Sequence, residues 1–142
     1  MNSEINRGDI YLISKEQTGG SEQFSGRPAV IVSCNALNRA IDTVEIVYLT
    51  TRPKAEVPTH VVIWSAKYKS IALCEQVTTV SVSRLSSFLG TCTAQEMAAI
   101  ELAMMESLGI QQHLILPEVA NPANPAKQTG DEALVRVTAE RD

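Results

Sequence analysis

Aromatic residues are scarce in this chain, at 4% of 142 positions, with three Tyr, two Phe and one Trp. Any core must therefore be built from Val, Ile, Leu, Ala and Met. No apolar run approaches the ~18 residues that span a bilayer, and the opening MNSEINRGD has no apolar stretch of the signal-peptide kind. A cytoplasmic protein without membrane contact is the expectation. Cysteine is equally sparing: Cys34, Cys74 and Cys92 are an odd number, widely spaced, with no CxxC pair. Their neighbours are apolar or small, so they read as small buried hydrophobes in a reducing compartment. The only histidines, His60 and His113, form no ligand cluster, so no metal or other cofactor is expected. Gly19-Gly20 lacks both the P-loop lysine and a GxGxxG pattern, and there is no GxSxG elbow.

What is present is a hydrophobic fraction of 44%, a charged fraction of 20% and a net charge of −4, an ordinary composition for one globular domain. An acidic balance disfavours a general nucleic-acid binder. The sign is uneven, however. Between positions 52 and 69 stand Arg52, Lys54, Lys67 and Lys69 against Glu56 alone, while acids dominate after residue 93. A locally basic face on an acidic protein is compatible with this pattern.

The composition changes near residue 112. Residues 1–112 read as the folded domain, and 113–142, rich in Pro and Asn, as a flexible extension. Within the domain, strands are expected at 8–14, 28–34, 43–50, 59–65 and 70–81, from period-two alternation or continuous β-branched runs. The segment 14–27 is a long Gly- and Ser-rich loop of the kind that usually carries function. Thr93 and Glu96 form a capping box, Met97, Ile100, Met104 and Leu108 follow at helical spacing, and Gly109 suits the C′ position. A short turn is expected at 83–87. Five strands and one helix point to a mainly β fold, a small curled sheet or barrel closed by the C-terminal helix.

Three polar features stand out. Arg27 follows Gly26 and precedes Pro28, which biases it toward an extended conformation beside the long loop. It reads either as a fork for a phosphate or as an anchor for a loop carboxylate such as Glu22. Thr50-Thr51 end the third strand, and Thr is a good strand former in any case. In Cys74-Glu75-Gln76, alternation puts Cys74 and Gln76 on one face and Glu75 on the other. Glu75 then faces solvent or lines a cleft beside a basic partner.

Read together, these segments resemble the MazF/PemK family of toxin endoribonucleases. The resemblance rests on Arg7-Gly8-Asp9-Ile10-Tyr11, Gly20-Ser21-Glu22-Gln23, Gly26-Arg27-Pro28-Ala29-Val30-Ile31-Val32-Ser33, Leu49-Thr50, Pro58-Thr59-His60-Val61, Cys74-Glu75-Gln76 and Ser107-Leu108-Gly109, in family order over roughly residues 6–110. It implies an SH3-like small barrel of the MazF/CcdB/PemK type and a homodimer. It also implies metal-independent, sequence-specific cleavage of single-stranded RNA by 2′-OH attack, giving a 2′,3′-cyclic phosphate, with neutralisation by a cognate antitoxin. Arg27 falls on the family's catalytic arginine and Thr50 on its catalytic threonine. Glu22, Glu75 and Gln76 fall on positions lining the RNA groove, joined by Ser21 and Gln23 of the loop and by Arg52 and Lys54 of the basic segment. Ser21 stands where some members carry histidine, and Leu73 and Thr78 where members carry arginine. The general base is left between Glu22 and Glu75. The alternatives are a gyrase-binding toxin of the CcdB type and an inactive homologue that only binds a partner.

Overall fold

The computed structural model describes residues 4–15 and 26–111. Loop residues Ser21, Glu22 and Gln23 and the extension 113–142 lie outside the described residues. The chain divides into two units, Met1–Gly109 and Ile110–Asp142.

Six strands form one antiparallel sheet: β1 (Asp9–Ile13), β2 (Arg27–Ile31), β3 (Thr43–Thr50), β4 (His60–Ile63), β5 (Ser70–Ser81) and β6 (Leu85–Thr91). Their order across the sheet is β4-β5-β3-β2-β1-β6. Among the described residues β4 and β6 share no ladder, so the sheet is open at those edges. Helix α1 (Asn35–Ala40) connects β2 to β3, and helix α2 (Ala94–Leu108) follows β6.

The alternation expected from the sequence sorts the strands' side chains into two cores. Ile10, Val30, Val47, Leu49, Ala72 and Cys74 lie on one face, where α2 covers them with Met97, Ile100 and Ala103. Ile13, Ala29, Ile31, Val44, Ile46 and Val80 form a second cluster on the other face, with Tyr11 and Tyr48 packed against it. The capping box at the start of α2 is complete: the Glu96 N–H donates to Thr93 Oγ1 at 3.0 Å, and the Thr93 N–H to Glu96 Oε1 at 2.9 Å. Gly109 ends the helix in the left-handed region, at φ 70°. No helix among the described residues is long and apolar enough to cross a membrane.

Several expectations need correction. Among the described residues there are six strands, because Leu85–Thr91 pairs with β1 instead of remaining a turn; within the expected turn only Val82–Arg84 is one, of the 3-10 kind. The second strand stops at Ile31, and Asn35–Ala40 is helical. The Ser33 hydroxyl donates to Asn38 Oδ1 at 2.6 Å and Asn38 Nδ2 donates to the Ser33 carbonyl at 3.0 Å, which locks the buried Asn38 under the strand's end. Cys34 is exposed in that connection, whereas Cys74 and Cys92 are buried as expected. Burial pushes both buried thiols up to about 12, with the charge of Glu75 adding to the effect at Cys74 and that of Glu96 at Cys92.

Candidate active site

The β2–β3 ladder pairs Ala29 with Tyr48 and Val30 with Val47. Continued two residues, this register sets Arg27 opposite Thr50, on the face that also carries Tyr48. Gly26 admits β2 to this position: a Cβ there would collide with the Ile13 carbonyl of β1. Arg27 is exposed, and its guanidinium lies 4.2 Å from the centroid of the Tyr48 ring. This cation–π contact holds the guanidinium against the ring. No carboxylate among the described residues pairs with it.

Thr50 is half-buried at the end of β3. Its Oγ1 accepts the backbone N–H of Arg52 at 3.1 Å. With a lone pair thus engaged, the hydroxyl proton remains available to a ligand. Arg52 and Lys54, both exposed, follow directly on the chain.

Glu75 reaches the same region through an irregularity in β5. Val47 pairs with Val77, but Leu49 pairs with Ala72, so the residues from Leu73 to Gln76 stand against Tyr48 alone. This bulge breaks the alternation. Cys74 stays buried, while Glu75 and Gln76 are both exposed; the expected placement of Gln76 beside Cys74 is thereby corrected. Bulges of this kind re-aim side chains near functional sites.

The basic partner of Glu75 is His60, a residue the sequence reading did not single out for this role. Thr59 Oγ1 donates to Glu75 Oε1 at 2.9 Å, and His60 Nε2 lies 3.1 Å from Glu75 Oε2. His60 Nδ1 lies 2.7 Å from the Ala55 carbonyl. Both ring nitrogens face acceptors, so the imidazolium satisfies both contacts at once. The His60 pKa is accordingly raised, chiefly by the bond to the Ala55 carbonyl and then, against partial burial, by Glu75, with nearby Lys54 opposing. Burial works against the Glu75 charge, but its own backbone N–H, Thr59 and His60 together hold the carboxyl below its usual range. The β4–β5 ladder, which pairs His60 with Leu73, creates this contact across fifteen residues of sequence. Ile71 pairs with Thr50, and Leu73, two residues on, shares its face, so His60 and Thr50 project from the same side of the sheet. No group of three or more metal-ligating side chains occurs among the described residues.

Residues 6–108 match the model of a family described as PemK-like, MazF-like toxins of type II toxin–antitoxin systems. The chain belongs to the PemK/MazF toxin family. Solved structures agree in fold. An endoribonuclease from a mycobacterial species is 28% identical, with a TM-score of 0.63, over 75% of this chain and 93% of its own. A mycobacterial endoribonuclease in complex with its cognate antitoxin is also 28% identical, with a TM-score of 0.64, over 75% and 97%. The MazE–MazF complex from Deinococcus radiodurans, at 20% identity, has a TM-score of 0.67 over 78% and 100% of the two chains. The mainly β fold with a C-terminal helix is the MazF type of small barrel, here with its sheet left open.

Proposed function

We propose that this toxin is an endoribonuclease that cleaves single-stranded RNA at specific sequences without a metal, using Arg27 and Thr50. The observation that carries the reading is Arg27 over the Tyr48 ring in a PemK/MazF toxin, with a β2–β3 register that, continued from Ala29–Tyr48, brings Arg27 toward Thr50. The substrate brings its own nucleophile, a ribose 2′-OH, which must be aligned with phosphorus and lose its proton. As it attacks, charge grows on the non-bridging phosphate oxygens. Arg27, oriented in advance by Tyr48, donates two parallel bonds to them, and the Thr50 hydroxyl donates a third. Glu75, ionised and facing the same region, is the described carboxylate suited to receive the 2′-OH proton; an ionised carboxylate retains acceptor sites beyond those taken by Thr59 and His60. The phosphorus–5′-oxygen bond breaks, the leaving oxygen takes up a proton from water, and the product carries a 2′,3′-cyclic phosphate. Arg52, Lys54 and Gln76 contact the flanking RNA.

Two of the similar structures are toxin–antitoxin complexes, which supports neutralisation of this chain by a cognate antitoxin in the cytoplasm. The homodimer belongs to the same reading, and the exposed Leu102 and Leu108 of α2 offer apolar surface for it.

The test is cleavage of messenger RNA in EDTA by the full chain and by Arg27→Ala and Arg27→Lys. Both variants should lose about 10²–10³ in rate while melting like the parent, because a lysine cannot form the paired bonds. A parent that cuts only with added metal, or an Arg27→Ala variant with full activity, would overturn the mechanism.

A further inference from the structure

The turn between β4 and β5, residues 64–69, carries two large aromatic side chains in the open. Trp64 is 67% exposed and Tyr68 65% exposed. Each has an ammonium over its ring: Lys69 Nζ stands 5.3 Å from the Trp64 centroid, and Lys67 Nζ 5.8 Å from that of Tyr68. A solvent-facing ring usually indicates a loose loop, but this turn is pinned. The Trp64 N–H donates to Glu96 Oε2 at 2.7 Å, the Ser65 hydroxyl to Glu96 Oε1 at 2.6 Å, and the Ser70 hydroxyl to the Tyr68 carbonyl at 2.8 Å. The rings stand on a backbone that is already tied down, so the cost of ordering the turn itself is met in the free protein.

Its position matters as much as its chemistry. Ile63, the last residue of β4, pairs with Ser70, while Thr50, the last residue of β3, pairs with Ile71. The turn therefore lies at the end of the sheet where Thr50 sits and where β2 begins with Arg27. Three ladder spacings separate β2 from β4, about 14 Å, which a short stretch of single-stranded RNA can bridge. Arg27, Arg52, Lys54, Lys67 and Lys69 make this end basic in a protein of net charge −4.

We propose that the 64–69 turn is a stacking subsite for single-stranded RNA, in which a base flanking the reacting phosphate lies on the free face of Trp64 while Lys67 and Lys69 hold neighbouring phosphates. The proposal rests on the ribonuclease reading above and extends it along the strand. Exposed aromatics alternating with cations suit a nucleic acid, whose π-faces stack and whose backbone carries the opposite charge. An acidic peptide would use the lysines but gain little from two open rings.

Trp64 is the only tryptophan in the chain, so its fluorescence reports this subsite alone. The full-length Thr50→Ala protein is titrated with a random-sequence oligoribonucleotide pool, with inorganic polyphosphate and with poly-glutamate. The RNA should quench Trp64, and the two base-free polyanions should not. In parallel, Trp64→Ala on the otherwise unaltered chain should raise KM for messenger RNA about tenfold with little change in kcat, and Trp64→Phe should restore most of the loss. Quenching by polyphosphate as strongly as by RNA would reduce the patch to charge alone. Quenching by poly-glutamate but not RNA would make it a peptide-docking surface. A changed oligomeric state of Trp64→Ala would reassign it to contact between copies. RNA cleavage by the parent with no quenching and an unaltered KM would overturn the subsite and leave the ribonuclease intact; quenching by RNA that is never cut would do the reverse.

Discussion

The two faces of β3 diverge toward its C-terminal end. Val47 and Leu49 enter the aliphatic core beneath α2, whereas Tyr48 and Thr50, interleaved with them, project beside Arg27 at the rim of the second cluster. Toward the end of β3 one face stays dry and closely packed, while the other, aliphatic at Val44 and Ile46, turns polar, with a cation over Tyr48 and a hydroxyl at Thr50. A period of two lets a single strand serve both purposes without compromise. Stability and chemistry should therefore separate cleanly between adjacent residues.

The sharpest way to break this comparison is at positions 49 and 50. Leu49 is 1% exposed, and Leu49→Ala should cost about 2–5 kcal/mol of stability, read as an earlier urea midpoint. Thr50→Ala should leave that midpoint nearly unchanged and lower RNA cleavage by about 10²–10³. A strongly destabilised Thr50→Ala would show that the hydroxyl mainly anchors the Arg52 backbone.

A smaller effect sharpens the polar side. The contact between His60 and Glu75 should be complete only between the two titrations. The His60 pKa lies above the ordinary 6.5, so its contribution is fully present below 6.5 and is lost as pH rises through the raised value. The Glu75 pKa lies below the ordinary 4.5, so its contribution is present above 4.5 and is lost as pH falls through the lowered value. The melting difference between the parent and His60→Gln should be widest near pH 4.5–6.5 and shrink as the solution becomes alkaline. A difference independent of pH would mean that the ring acts by packing alone.

These contrasts also explain what could be read from the sequence. The bounds of β3 and β5, the capping box and Gly109 follow from local rules, namely alternation, a Thr/Glu spacing and a left-handed C′ residue. The family motifs singled out Arg27 and Thr50, and the β2–β3 register, continued from Ala29–Tyr48, brings the two toward each other. What escaped carries no such local mark. LSSFLGT becomes β6 only through an irregular ladder with β1, and α1 is held by Ser33, Asn38 and Arg39 with no N-cap side-chain bond of its own. The bulge in β5 comes from two ladders of different register meeting on β3, which no single-strand pattern contains. His60 had a legible signal, since a hairpin joining 59–65 to 70–81 brings the start of one toward the middle of the other. Pairing those runs, instead of reading each alone, would have set His60 near Glu75.

The least effect is expected at Thr93, and its value lies in the contrast with Glu96. Thr93→Ala removes one hydroxyl acceptor from the first turn of α2 and should cost about 1 kcal/mol. Glu96 caps the same turn, but its two oxygens also receive the Trp64 N–H and the Ser65 hydroxyl. Glu96→Ala should therefore cost more than Thr93→Ala and loosen the β4–β5 turn as well. Acrylamide quenching of Trp64 separates the two consequences: Thr93→Ala should match the parent, and Glu96→Ala should show a more accessible ring. Equal stability losses with identical quenching would mean that the carboxylate serves the helix alone and that the turn is held by its own ladder to β5.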